Sequence, residues 1–356
     1  MPAVHSLAVV LALAVAVAAP AARADDPPRP EVRFLSREEA ATALSDESAE
    51  PYASRFQTLE IFAKTGWLSG EKFDSQREGA ARAYRTACRD FTADEKAAIG
   101  DTARALDDAL GGAYPLFAQT AWQLIKLEGV MEGGLPHTRG RCVVLSDRFL
   151  KQVMQLRAEG GDLPKSHVGE LLVRVKCHVM QRAWPAMFER LYVDVWRFIR
   201  AKDLPSCPWL VKHQLLNPDG LDVGWVYPVK SKSGAEYWQP LQILKEGVAQ
   251  PRMPDDVQLV AVALDKRDAS YAPRAVGDGR PVMRPLAELP EYAKAFGAVS
   301  DNVHPNATCA VMFSWIAMRH IGATTGPGLE DHSAVDLAAL TAWCKKSFAK
   351  PPVAKR

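Results

Sequence analysis

Between residues 165 and 184 the apolar positions recur with a helical period. Val168, Leu171, Leu172, Val175 and Val179 stand at i, i+3, i+4, i+7 and i+11 and make one stripe. His167, Glu170, Arg174, His178 and Gln181 form the stripe beside it, and Val173 and Met180 occupy a third face. A helix apolar around most of its circumference is expected to run through a core rather than over a surface. Other helices are predicted from caps and periods. Ser36-Arg-Glu-Glu39 reads as a capping box opening a helix through Leu44, and Thr92-Ala-Asp-Glu95 as another, feeding a helix that stops at Gly111-Gly112. Further helical stretches cover residues 55–64, 71–88, 186–199, 289–296, 307–320 and 334–348. The β-type runs are 120–127, 141–145 and 258–264, with a hairpin of 227–229 against 237–244. Residues 204–254 otherwise read as loop, with Asn217-Pro-Asp-Gly220 as a turn. This pattern predicts an α+β fold in one domain over residues 25–356, mainly helical, with a small mixed sheet packed on the central helix.

Composition removes whole classes of function. With 48% hydrophobic and 24% charged residues in 356, the chain is neither disordered, collagenous nor a polytopic membrane protein. Lys and Arg number 44 against 42 Asp and Glu, so the net charge of +2 carries no footprint of nucleic-acid binding. The first 24 residues stand apart. An unbroken apolar run from Leu7 to Ala19 is followed by Pro20 and by small residues at Ala22 and Ala24, the pattern of a signal-peptidase site. The expectation is an exported chain, periplasmic or extracellular, with no membrane span once the leader is removed. An uncleaved anchor is the alternative, since the leader begins without Lys or Arg.

Six cysteines, an even number, fit disulfides in an oxidising compartment. Proximity in sequence favours Cys177 with Cys207 and Cys309 with Cys344, leaving Cys88 with Cys142; free buried thiols are the alternative. Cys177 beside His178 does not make a nucleophile and base, because neighbours on a helix point about 100° apart. Gly133-Gly134 lacks the strand-to-helix setting of a phosphate loop.

Several segments taken in order resemble a family of secreted bacterial proteins that look like zinc-dependent peptidases. Its pattern runs T-R-G and a strand, a helix with H-E-L-x-H-V-x-x-R, an N-P-D turn, then H-P-E-E and a late helix. Here Thr138-Arg139-Gly140 precedes Cys142 to Leu145, and the helix carries Arg174, Val175, His178, Val179, Gln181 and Arg182. Asn217-Pro218-Asp219 follows, then Tyr237-Trp238-Gln-Pro240-Leu241, His304-Pro305 and Ala310 to Phe313. The resemblance spans roughly residues 50–325 and implies a zincin-like fold. In the family, two His at i and i+4 on one helical face hold Zn²⁺ at about 2.0–2.1 Å, and a distant carboxylate completes three protein ligands. The Glu after the first His takes a proton from the bound water.

This chain departs from that pattern at the chemistry. Arg174 stands at the first ligand position, Val175 at the general-base position and Val311 at the aligned carboxylate; His178 alone keeps its type. His304-Pro305 is retained, but the two acids behind it are Asn306 and Ala307. The resemblance therefore implies a zincin-like protein that has lost zinc binding and peptidase activity, with no cofactor and with the cleft kept as a binding surface. Arg174 reads either as a tolerated polar residue in the cavity wall or as a permanent cation where a metal ion sat, with Glu170 one turn earlier as a ready partner. The ligand expected is a peptide, a cell-wall component or a partner protein. The alternative is a metal-dependent hydrolase using a rebuilt site around His178 and His304, with Asp301 and either His213 or His332.

Overall fold

The computed structural model describes residues 30–48, 50–67, 70–232, 234–297, 302–323 and 335–350. The leader at 1–24, Asp301 and His332 lie outside the described residues. The chain begins with strand β1 (Val32–Phe34) and helix α1 (Arg37–Ser45), whose Ser36 and Glu39 form the reciprocal capping box expected of them. Helices α2 (Thr58–Thr65) and α3 (Phe73–Ala87) lead into the short strand β2 (Cys88–Arg89). Thr92 and Glu95 cap α4 (Ala93–Gly111), and α5 (Pro115–Gln119) follows with proline at its first position. Then come β3 (Trp122–Leu127), β4 (His137–Arg139), β5 (Cys142–Ser146) and α6 (Asp147–Ala158).

The central helix α7 (His167–Ala183) is capped by Ser166. Helix α8 (Pro185–Arg190) widens into a π-type turn over Leu191–Val195, so the stretch read as one helix to residue 199 ends earlier. Beyond it lie β6 (Ile199–Arg200), α9 (Pro208–His213), β7 (Trp225–Ser231), β8 (Gly234–Leu244), β9 (Val257–Arg267), β10 (Ser270–Pro273) and β11 (Met283–Pro285). The helices α10 (Pro290–Phe296), α11 (Pro305–His320) and α12 (Ala338–Ser347) complete the order.

The fold is α+β with two sheets. In the first, β1, β3 and β5 run parallel, β2 extends β3, and β4 lies antiparallel to β5 as an edge strand, with Thr138 opposite Val143. The second sheet is antiparallel, ordered β10-β9-β8-β7-β6 with β11 on β9. Expecting only one small mixed sheet understated the strands: the hairpin and the 258–264 run belong to this larger second sheet. Helices α7 and α11 cross the main core, where Val168, Leu172, Val173, Val175, Val179 and Met180 are all buried. Burying apolar side chains on every flank of α7 is what its sequence pattern required.

Two lysines that are fully enclosed, Lys176 and Lys64, break that pattern. Lys176 on α7 is fully enclosed, its ammonium on Asp107 of α4 and 4.4 Å from the ring centres of both Phe117 and Trp122. Lys64 on α2 is equally enclosed, between Glu60 at 3.2 Å and Glu132 at 3.6 Å. Among the described residues, no helix is long and apolar enough to cross a membrane.

Candidate functional site

A cavity of about 580 Å³ lies between α7, the edge strand β4 and the second sheet. Leu171, Arg174, Val175 and His178 come to it from α7, and Val257 and Leu259 from β9. Glu132, His137, Pro218, Asp219, Met253 and Ala307 complete much of the wall. Three of the residues singled out from sequence, Arg174, Val175 and His178, thus share one cavity. Val311 is buried in the core of α11 and does not line the cavity; Ala307, one turn earlier on the same helix, does. His304 sits behind the wall as the N-cap of α11.

The segments that carried the resemblance converge on His178. Its Nδ1 lies 2.8 Å from Gln181 Oε1, and Gln181 Nε2 donates to the Asn306 carbonyl at 2.9 Å. An amide oxygen only accepts, so His178 Nδ1 carries the hydrogen. Asn306 Nδ2 donates to the Asp219 carbonyl at 3.3 Å, and Asp219 Oδ2 stands 4.0 Å from His178 Nε2. The other Asp219 oxygen accepts from the Thr138 amide at 2.8 Å and from the Thr138 hydroxyl. Arg182 ties these pieces together through Glu50 at 2.8 Å, the Thr138 hydroxyl and the Pro218 carbonyl. The Asn217-Pro-Asp-Gly220 turn is closed by Asp219 N on Asn217 Oδ1 at 2.8 Å. A Cβ at Gly220 would fall 2.5 Å from His304 Nδ1, so this turn can approach the histidine only with glycine there.

The electrostatics follow from burial and neighbours. Burial pushes the Asp219 carboxyl up, but His178, Arg182 and His137 outweigh it and hold the group below the usual carboxylate range. Burial lowers both His178 and His137 and so favours neutral imidazoles. Glu132 is opposed by burial too, yet Lys64, His137, Tyr52 and Tyr84 keep it ionised and below its ordinary value. Its backbone is left-handed at φ 52°, a conformation that strains a non-glycine residue. Glu170 is raised by burial, with the Arg174 charge, the Ser314 side chain, His167 and the Trp315 side chain pulling the other way.

These residues do not fit a zinc ion. Arg174 and Val175 offer no ligand. His304 has no lone pair to give, because its Nε2–H donates to the Asp222 carbonyl at 2.7 Å and its Nδ1 accepts from the Asn306 amide at 3.0 Å. His213 stacks on Trp209 and bonds its carbonyl at 2.8 Å, outside the cavity wall. Among the described residues, no three His, Cys, Asp or Glu side chains are placed to hold a metal ion. No family model, curated protein or solved structure matches the chain.

Burial pushes His304 down to about 4, well below its free value of about 6.5. The unfolded chain therefore binds a proton that the folded chain does not between those two values, and stability must fall as pH falls through that window. Denaturant unfolding at stepped pH is expected to show a loss on the order of 3 kcal/mol from this group by pH 4. A His304→Gln variant should lack that contribution; an unchanged slope would refute the assignment.

All six cysteines are thiols here. The sequence pairing of Cys177 with Cys207 is not one that the fold brings together. Cys177 shares the main core with Cys309 and Cys344, whereas Cys207 borders the separate core of the second sheet. The structure also adds residues that the sequence pattern did not single out: His137 and Glu132. His137 immediately precedes Thr138-Arg139-Gly140, and Glu132 precedes the Gly pair, so both had a signal in the motif's own neighbourhood.

Proposed function

We propose that this chain is an exported, degenerate relative of zincin-like peptidases that holds a ligand in the former catalytic cleft and does not hydrolyse it. One observation carries the reading. Thr138, His178, Arg182, Asn217 to Asp219 and the start of α11, far apart in sequence, meet in one hydrogen-bonded frame around a cavity. A frame kept intact while the ligand and base positions carry Arg174 and Val175 is what loss of metal chemistry without loss of the cleft would leave. The apolar stretch of Leu171, Val175, Val257 and Leu259 gives a ligand its contact area.

Two measurements test this. Protein equilibrated with Zn²⁺ and then desalted is expected to retain no stoichiometric metal, and a chelator should change no peptide-hydrolysing activity. Stoichiometric zinc with chelator-sensitive hydrolysis would overturn the reading in favour of a rebuilt metal site. In parallel, 1-hexanol as a neutral apolar probe is expected to shift the methyl resonances of Leu171, Val175 and Leu259. No shift at saturating probe would remove the cleft as a binding surface.

A further inference from the structure

The edge of the cleft is closed to an extended peptide. In an antiparallel pair, alternate residues of the edge strand point their amides outward, ready to pair with an added strand. On β4 and at the residue just after it those groups are taken. The Thr138 amide donates to Asp219 Oδ1 at 2.8 Å, and the Gly140 amide donates to Glu50 Oε2 at 2.8 Å. Arg182 bridges the two carboxylate-bearing sides. Strand addition would have to break charge-assisted bonds at both positions, so the occupant is compact and sits in the cavity itself.

The polar wall of that cavity gathers several acceptors beside the Arg174 guanidinium. His178 has committed its Nδ1–H to Gln181, so the neutral ring turns a lone pair at Nε2 toward Asp219 Oδ2, 4.0 Å away. Two acceptors facing each other attract only if something between them donates. His137 repeats the arrangement: Nδ1 lies 3.0 Å from the Leu135 carbonyl and must donate to it, while the buried Nε2 has no hydrogen-bond partner among the described residues. Glu132 Oε2 is buried without a hydrogen-bond partner among the described residues, with Lys64 Nζ 3.6 Å off. His137, His178, Asp219 and Glu132 all line the one cavity.

The spacing decides what kind of cation fits. A tetrahedral metal at about 2.1 Å from both atoms would hold them about 3.4 Å apart, and the 4.0 Å separation would open the ligand angle to about 145°. A nitrogen donor at about 2.9 Å from each subtends about 90°, within hydrogen-bond tolerance of the spread of N–H bonds on an ammonium group. We propose that the cleft binds a primary ammonium group between His178 Nε2 and Asp219 Oδ2, carried on a short apolar body that rests on Leu171, Val175 and Leu259. This rests on the ligand-holding reading above and names its chemistry.

The probes are n-hexylamine, 1-hexanol and hexanoate, titrated against the full chain and followed by the methyl resonances of those three residues. Hexylamine is expected to bind at least about tenfold more tightly than hexanol, the value of a charge-assisted hydrogen bond, and hexanoate more weakly than either. Asp219→Asn should bring hexylamine down to the affinity of hexanol. If that variant does not fold, His178→Asn, which removes Nε2, should abolish the same preference. Hexanol binding with no preference for the amine, or tightest binding of hexanoate, overturns the ammonium site and leaves the cleft reading standing. Failure of every probe overturns both. Zn²⁺ displacing hexylamine in a one-to-one titration overturns the ammonium site in favour of a metal.

Discussion

Asp107→Ala is expected to remove about 3–5 kcal/mol of folding stability, the cost of leaving a buried charge without its partner. The charge is Lys176, enclosed on α7 between the rings of Phe117 and Trp122. Asp107 reaches it from α4 with one oxygen and accepts the Trp122 indole N–H at 2.9 Å with the other. Alanine would leave both the ammonium and the indole facing a dry gap. Since domains of this kind are stable by about 5–15 kcal/mol in total, the loss should show as a large fall in the urea midpoint followed by circular dichroism. The companion experiment separates the pair from its desolvation. Asp107→Leu combined with Lys176→Met replaces two charges by apolar groups of similar size, and should recover most of the loss. The indole then lacks its acceptor, so a residual deficit of about 1–2 kcal/mol is expected. A single Asp107→Ala costing under about 1 kcal/mol would show that the pair is not a structural anchor.

That pair also marks where sequence reading stops. The stripes of α7, the capping boxes at Ser36 and Thr92 and the hairpin of β7 with β8 were legible because each is encoded within a few residues. Helix α6 was not anticipated, although Ser146 caps it and Phe149, Leu150 and Val153 share its buried face; between them stand Arg, Lys and Gln that blur so short a period. Lys176 drew no reading from the sequence, because its partner lies 69 residues away on another element. Lys64 and Glu132 are hidden for the same reason, being 68 positions apart in sequence and 3.6 Å apart in space. For the cleft, the spacing on one helix set Arg174, Val175 and His178 on neighbouring stripes, and all three line one cavity. Val311 was assigned from an alignment of motifs across a gap of more than a hundred residues, and a one-turn offset on α11 is enough to exchange a core position for a cavity position. The closed edge of β4 could not be read at all. It depends on Asp219 meeting Thr138 across 81 residues, and no local pattern records which carboxylate will cap which amide.

Arg182 is the residue whose loss should undo that closure, and Arg182→Met is expected to cost about 3–5 kcal/mol. Its guanidinium makes three directed contacts, to Glu50, the Thr138 hydroxyl and the Pro218 carbonyl, with the side chain 15% exposed. Each joins a different segment: the chain before α2, the edge strand and the turn that presents Asp219. Hydrogen bonds to a charged group contribute about 1.5–3 kcal/mol apiece, and three from one planar fork are not independent, which caps the sum. Arg182→Lys should recover little of the loss, because an ammonium on a flexible stem cannot span three acceptors set for a guanidinium plane. Amide hydrogen exchange gives a local readout that global stability does not. With Arg182 gone, the Glu50 and Asp219 carboxylates lose the group that orients them, so the Thr138 and Gly140 amides they cap should exchange faster than the β5 amides beside them. If Arg182→Lys keeps both the urea midpoint and the protection of those two amides, the edge is held by Asp219 and Glu50 alone. The guanidinium would then be a passenger in the frame, and the cleft would owe its closed edge to the two carboxylates.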